Sequence, residues 1–481
     1  MSAARLAPEA AIVALAIAVG AAGSVRLPLD DHEAYVVQTA QEMRDRGDWL
    51  VPHFFGAPRL QKPPLSYWLT AAVATASGDA RVRPWHGRVP SIAAAACIVA
   101  LTMALGHMLL DRRLARIAGI VAASSVGVFR YAHTARPDML YALWCTLALA
   151  AFVAAVRAPG EPRRAARLLW TSLALATLTK GPQVPAMLLV AMIAVTWGRG
   201  WRPTALRRIL RPVEGGCLLV VLTVPWWLAV HHALGGSGLA GTQLAGSLLA
   251  PSARHLLDPY HFYRPLALVL PSVAFAALAP LMGRWPRDRG DAVRLLATFV
   301  LVPALTFTLG PQRRPHYMLP ALAPLSLLVA VAMAAVFERG ERRSAGGGWP
   351  ACLVGTTWVL TFAILLRFAA TPVLWSHERF AVAELATLAA RTVPREVPLL
   401  ALGVHAPAPS YHAERPVRAV RTLRRVHRIL ARSTDGRIAL LTDAAALSPL
   451  PASVEARVVA RRPADGGREM LLVRLRIRNG S

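Results

Sequence analysis

The sequence predicts an all-α polytopic membrane protein of roughly eleven transmembrane helices that carries a small C-terminal α/β domain. Three observations lead there. Of 481 residues, 55% are hydrophobic and only 17% charged, an apolar excess that a single water-soluble core does not absorb. Apolar stretches of about 15 to 22 residues recur along most of the chain, close to what a hydrocarbon core of about 30 Å asks of a helix. After Ala370 the pattern changes to an Arg-rich stretch with period-two apolar runs, the spacing of strands.

The expected spans are Ala10–Val25, Val89–Leu110, Leu114–Phe129, Met139–Val156, Leu168–Leu178 and Val184–Trp197, followed by Gly215–Leu234, Phe262–Met282, Ala292–Leu309, Met318–Val336 and Pro350–Ala370. The short ones, Leu168–Leu178 above all, are expected to begin in their basic flanks or to be tilted and broken around a cavity. The first span lacks a convincing small-residue cleavage site and reads as uncleaved. Residues 1–371 then form the membrane domain, with a long outer segment over 26–88, and residues 372–481 form the appended domain. Its strands are expected at Pro398–Val404, Arg437–Thr442, Val454–Ala460 and Met470–Ile477, with a helix over Thr422–Ala431.

The chain holds 54 Lys+Arg against 26 Asp+Glu, a net charge of +28. That balance does not indicate nucleic acid, because the basic residues cluster in short connections between spans, where cytoplasmic retention and contact with membrane lipid account for them. The loops holding Arg112, Arg113 and Arg116, then Arg157, Arg163, Arg164 and Arg167, then Arg199, Arg202, Arg207, Arg208 and Arg211 are assigned to the cytoplasm. Those with Arg284, Arg287, Arg289 and Arg294, and with Arg339, Arg342 and Arg343, follow on the same side. The N-terminus is then cytoplasmic, and the acids and lysines of the chain gather mostly on the outer side of the membrane. Cys97, Cys145, Cys217 and Cys352 are scattered through apolar runs and indicate neither a disulfide framework nor a metal site.

Four outer elements carry chemistry. Asp30, Asp31 and Glu33 follow the first span and open a helix over about Glu33–Arg46, whose Ala34, Val37, Ala40 and Met43 are expected along the membrane surface. Lys62 and Lys180 are the only lysines among the 54 cations, which suggests a need for a compact, rotatable ammonium at both positions. Asp138 sits just after Pro137 in the first turn of a span, where helix capping competes with a functional role. The turn Gln312–Pro320 is basic and aromatic, suited either to anchoring at headgroups or to holding an anion. Carboxylates and cations at the outer rim suit transfer of a group from a lipid-linked phosphate, with cations offsetting charge on the leaving phosphate and a carboxylate acting on an acceptor hydroxyl.

The acidic motif with Asp31, Glu33 and Tyr35, the phrases GDWLVP (Gly47–Pro52), KPPLSYW (Lys62–Trp68) and RVPS (Arg88–Ser91), then RPDM (Arg136–Met139), LTKGP (Leu178–Pro182) and HYMLP (His316–Pro320) occur in this order. In that order they resemble the GT-C-type membrane glycosyltransferases. The chain is similar within them to the aminoarabinose transferases of lipid A and to the protein O-mannosyltransferase-like enzymes of glycosyltransferase families 39 and 83. The resemblance implies a polyprenyl-phosphate-linked sugar as donor and a lipid, glycan or protein acceptor, with transfer on the periplasmic face and inversion at the sugar carbon. It implies catalytic roles for Asp31, Asp138 and Glu33, a donor-phosphate cation at Lys62 helped by Arg136 or Arg314, and supporting places for Arg88, Lys180 and Tyr317. Two departures stand out. Counting back from Gly47 puts His32 where relatives hold the first acid, leaving Asp31, His32 and Glu33 open for that position. Gln61 replaces a Glu that relatives associate with a bound metal, which puts a divalent cation and the aminoarabinose donor in question. No other cofactor is indicated. A transporter or lipid flippase is the leading alternative, expecting paired broken helices and charges at the bilayer midplane. A scaffold that binds partners through its C-terminal domain is the third reading.

Overall fold

The computed structural model describes residues 3–158, 162–198, 203–236, 260–274, 289–308, 314–343, 349–371, 377–433, 435–447, 450–451 and 453–478. The chain begins with α1 (Ala3–Ala21), and α2 (Asp31–Arg46) follows in the outer segment. Asp30 starts α2 with a capping box, its carboxylate accepting the Glu33 N–H while Glu33 accepts the Asp30 N–H. Gly47 ends it in the left-handed conformation, φ 66°. A two-residue hairpin, β1 (His53–Phe54) and β2 (Ala57–Pro58), precedes α3 (Leu65–Ala76).

The helical core comprises α4 (Pro84–Leu109), α5 (Arg112–Ala123), α6 (Val126–Ala132), α7 (Pro137–Arg157), α8 (Arg163–Lys180) and α9 (Gln183–Gly198). After these come α10 (Pro203–Leu210), α11 (Pro212–Ala233), α12 (Gly290–Thr308), α13 (Leu322–Arg343) and α14 (Trp349–Ala370). A 3₁₀ segment, Pro315–Ala321, leads into α13. Leu149, Phe152, Leu169, Phe299 and Leu327 meet in a continuous core between α7, α8, α12 and α13. By contrast, Val220, Val221, Val224 and Leu228 on α11 are exposed, as expected of a helix that faces lipid.

Five helices among the described residues are long and apolar enough to cross a membrane, or six if the bent pair α5 and α6 is one span. Multiple spans are therefore present, and the described residues account for five or six of the eleven expected. The span expected at Leu114–Phe129 is broken by 48°, at the point where Ser125 caps α6 by accepting the Val128 N–H. The described part of the span expected at Phe262–Met282 is a short helical turn, Tyr260–Tyr263, followed by a 3₁₀ segment, Arg264–Val269. Pro265 and Pro271 remove backbone donors there and interrupt a regular helix. Arg199, Arg202, Arg284, Arg287, Gln312 and Arg313 lie outside the described residues, as does the expected junction after residue 371.

The apolar face of α2 corrects a second expectation. Ala34, Val37 and Ala40 are wholly buried, packed into the protein with Ala71 and Ala74 of α3, Val82 and Tyr411, and Met43 is nearly so, packed with Tyr67, rather than laid on a membrane. Amphipathic spacing reports that one face is buried without saying in what.

In the C-terminal region, α15 (His377–Thr392), β3 (Leu399–Leu402), α16 (Pro407–His412), β4 (Arg418–Val420), α17 (Leu423–Ala431), β5 (Arg437–Asp443), β6 (Val454–Pro463) and β7 (Glu469–Ile477) build a five-stranded mixed sheet in the order β4-β3-β5-β7-β6. The pairs β3–β4 and β3–β5 are parallel, and β5–β7 and β6–β7 antiparallel. Helices cover both faces, α15 over Leu399, Ala401 and Leu472, and α17 over Leu400, Leu440 and Val473. The four expected strands are present. Strand β4 was not expected, being three residues long with Arg418 and Ala419 exposed.

Candidate active site

A cavity of about 310 Å³ opens where the first turns of α2, the segment 59–67, the start of α7, the end of α8 and the turn 314–317 converge. Pro137 fixes the first helical position of α7 and leaves Asp138 in its first turn. From the end of α8, Lys180 Nζ donates to Asp138 Oδ1 at 2.5 Å, both side chains being more than nine-tenths buried. The register of that end is held by Tyr141, whose hydroxyl donates to the Gly181 carbonyl and accepts the Val184 N–H. The Lys180 ammonium also lies 5.2 Å from the Tyr317 ring centroid, within cation–π range.

Four further cations line the cavity, namely Arg59, Lys62, Arg136 and Arg314. Arg59 stacks 3.4 Å over the Tyr35 ring. Burial, and then the neighbouring Lys180 charge, push the Lys62 pKa down to about 7. Asp138 is the one carboxylate on this wall among the described residues. Five cations against one carboxylate make a site for an anion. Polar contacts of other kinds come from His32, Gln61 and His316.

Arg136 is aimed by Asp30, with which it forms an ion pair. Burial acts to raise the Asp30 pKa, but the charges of Arg136 and Arg379 outweigh it and hold this carboxyl below its ordinary value. Arg379, on α15, donates to Asp30 Oδ2 at 3.0 Å and to Glu33 Oε2 at 3.1 Å. The C-terminal region is thereby tied to the acids that position Arg136. Arg81 paired with Glu414, and the Tyr411 hydroxyl donating to the Val82 carbonyl at 2.9 Å, fasten the same junction.

Of the residues expected to act, Lys62, Arg136, Asp138, Lys180, Arg314 and Tyr317 come together on this wall. Asp31, Glu33 and Arg88 do not. Asp31 accepts the Ala408 N–H at 3.2 Å and so faces the C-terminal region; burial, the larger influence, raises its pKa. Glu33 and Arg88 are both 0% exposed and pair at 2.9 Å. Arg88 also donates to the Ser24 and Leu27 carbonyls, and Glu33 accepts the Ala135 N–H. This pair ties the outer segment to α4 and to the residue before Arg136, a structural task away from the cavity. Arg59, Tyr67 and Arg379 were not singled out from sequence, and Asp30 was named there only with its neighbours Asp31 and Glu33. Arg59 had the one local signal, lying three residues before Lys62, whereas Arg379 meets its partners across more than 340 residues.

The family described as dolichyl-phosphate-mannose-protein mannosyltransferase matches residues 61–228. An undecaprenyl phosphate-alpha-4-amino-4-deoxy-L-arabinose arabinosyl transferase of Pseudomonas aeruginosa is 31% identical over 323 residues, 64% of this chain and 57% of that protein. A second, from Proteus mirabilis, is 27% identical over 73% of this chain and 64% of its own length. The chain thus spans somewhat more than half the length of the curated relatives it matches. In fold it is similar to the crystal structure of ArnT from Cupriavidus metallidurans bound to undecaprenyl phosphate, with a TM-score of 0.69, 18% identity and 98% of each chain covered. It is also similar to the oligosaccharyltransferase AglB from Archaeoglobus fulgidus, with a TM-score of 0.57, 12% identity, and 92% of this chain and 70% of that one covered. By sequence the chain is similar to these mannosyl- and arabinosyltransferases, and by fold to ArnT and AglB.

Proposed function

We propose that the protein is a membrane glycosyltransferase that moves a sugar from a polyprenyl-phosphate-linked donor to a lipid, glycan or protein acceptor at the periplasmic face of the inner membrane, with inversion. The observation that carries this reading is the cavity itself, in which Lys62, Arg136, Lys180 and Arg314, from four stretches of the chain, converge with Asp138. The arabinosyl transferases named above use undecaprenyl phosphate by their names, and the related ArnT structure holds that lipid.

In this reading the donor phosphodiester sits among the cations, and the charge that grows on it as the sugar leaves is met by groups already in position. Lys62 supplies a compact ammonium. Asp138 fixes Lys180 rather than facing the anion alone, and Asp30 fixes Arg136. A single displacement by an acceptor oxygen from the face opposite the phosphate inverts the anomeric carbon. The lining suits a divalent cation poorly. Such an ion takes six or more oxygen ligands with net negative charge, whereas this wall offers Asp138, already bound to Lys180, and neutral Gln61 among five cations. Side-chain cations therefore do the neutralising here.

The transporter alternative is not favoured. Asp138 occupies the first turn of α7 and Lys180 the last residue of α8, helix-end positions rather than the midplane positions a translocation path would use. The test is mass spectrometry of envelope lipids, glycans and proteins from cells with the gene, without it, and with a Lys62→Ala copy. A sugar-modified species present only with the wild-type gene is expected; identical profiles in all three strains would refute the reading.

A further inference from the structure

Neutralising the phosphate is half of the reaction; the acceptor hydroxyl must also lose its proton. We propose that His32 is the catalytic residue that takes that proton, in the place where an acid would ordinarily be sought. The proposal deepens the glycosyltransferase reading and rests on it.

Elimination leads to His32. Arginines 59, 136 and 314 carry no basic lone pair at working pH. Lys62 is held charged once the donor phosphate lies beside it. The Asp138 carboxylate is clamped at 2.5 Å by Lys180, which spends its basicity on a buried ion pair. Asp30 is paired with Arg136 and Arg379, Glu33 with Arg88 and Arg379, and Asp31 accepts the Ala408 N–H. Two imidazoles remain. His316 stands edge-on to Tyr317 and close to Tyr131, in the 3₁₀ segment and partly buried. His32 is exposed, with Arg314 and Gln61, among the otherwise more buried residues of the cavity. That is where an acceptor arriving from outside meets the donor.

Position and charge agree. His32 sits in the first turn of α2, whose start is fixed by the Asp30–Glu33 capping box, so its place relative to the cavity is set by backbone rather than by a mobile loop. It is influenced by Asp30 from its own segment, by Arg136 and Asp138 from the start of α7, and by Arg314 from the turn 314–317; Arg59 and Lys62 line the same cavity. Partial burial, then Arg136, lower its pKa, so the free ring is neutral at pH 7 and ready to accept a proton. Donor binding brings negative charge and lifts that pKa back towards the range in which a general base is most effective.

The step balances as follows. The acceptor oxygen bonds to the anomeric carbon with its own electron pair; the bond from that carbon to the phosphate oxygen breaks, its pair staying on the phosphate; and the hydroxyl proton passes to the imidazole. The products are the glycoside, a polyprenyl phosphate with one further negative charge, and an imidazolium that returns its proton to water.

The experiment uses the full-length protein in proteoliposomes prepared from lipid extract of the source membrane, with that extract's polyprenyl-phosphate sugars as donor and its lipids as acceptor. His32→Ala is expected to lower kcat by about 10² to 10⁴, the usual worth of a positioned base, with polyprenyl phosphate binding unchanged. His32→Asp is expected to restore part of the rate and to move the acidic limb of the pH profile down by about two and a half units, the gap between imidazole and carboxyl. Wild-type transfer with His32→Ala within threefold of it at every pH would overturn the role of His32 and leave the glycosyltransferase reading standing. Polyprenyl phosphate binding without any wild-type transfer from these donors would overturn both.

Discussion

Lys180 Nζ lies 2.5 Å from Asp138 Oδ1, so that the last residue of α8 is closed onto the first turn of α7. Two motifs 42 residues apart in the chain thus share one buried ion pair. Breaking such a pair from one side leaves an uncompensated charge, which costs about 3 to 5 kcal/mol. Asp138→Asn should therefore lower the thermal midpoint in detergent by several degrees and abolish transfer. The double variant Asp138→Asn, Lys180→Gln should regain much of the stability but none of the activity. Equal stability of the single variant and the wild type would show that the pair is not structural.

Lys62 gives the site a pH dependence. Its pKa is pushed down to about 7 by burial and by Lys180, so above pH 7 the free site progressively loses this charge, whereas the bound phosphate requires it. Donor affinity should then fall with rising pH, by about tenfold per unit at the limit. Below pH 7 it should be flat with respect to this group. Lys62→Arg, which stays protonated, should weaken binding through its altered shape yet abolish the slope. Titration of polyprenyl phosphate binding between pH 6 and 9 reads both effects.

Arg379 links the C-terminal region to the cavity by way of Asp30 and Arg136. Arg379→Ala removes charge-assisted hydrogen bonds to two acids and should cut transfer about tenfold, a loss of about 1.4 kcal/mol in transition-state stabilisation. It should also speed proteolysis between α14 and α15. Arg379→Lys should recover only part, because an ammonium does not reproduce the planar fork. Unchanged kinetics in the alanine variant would mean that the C-terminal region does not act on the site.

Gly87 lets α4 approach the residue before Arg136. A Cβ there would stand 2.5 Å from that of Ala135 and 3.2 Å from Val37 Cγ2. Gly87→Ala should cost about 1 to 3 kcal/mol through overpacking, and should weaken donor binding by displacing Arg136. Thermal unfolding and donor titration of the same preparation separate the two effects.

Part of the site was legible because Arg136, Asp138 and Lys180 stand at helix ends, beside Pro137 and Gly181, where short motifs are recognisable. The acids after α1 were harder. Asp30, Asp31, His32 and Glu33 are consecutive, and which of them faces the cavity depends on where α2 begins, a difference of about 100° per residue. Glu33 and Arg88 resemble site residues in sequence because a buried ion pair and a binding site use the same side chains. The burial of α2 against protein instead of membrane was unreadable, since its partners include Tyr411, far along the chain. Hydropathy alone reads the apolar runs at Leu114–Phe129 and from Phe262 as continuous, whereas Ser125 and Pro265 break them.

The most direct measurement is native mass spectrometry of the detergent-solubilised protein with polyprenyl phosphate, comparing the wild type with a Lys62→Ala, Arg314→Ala variant that retains its fold. One lipid phosphate per wild-type chain is predicted, not displaced by excess phosphatidylglycerol, with binding at least about tenfold weaker in the variant. Equal retention by both proteins, or free exchange with phosphatidylglycerol, would contradict the assignment of the cavity to a lipid-linked donor.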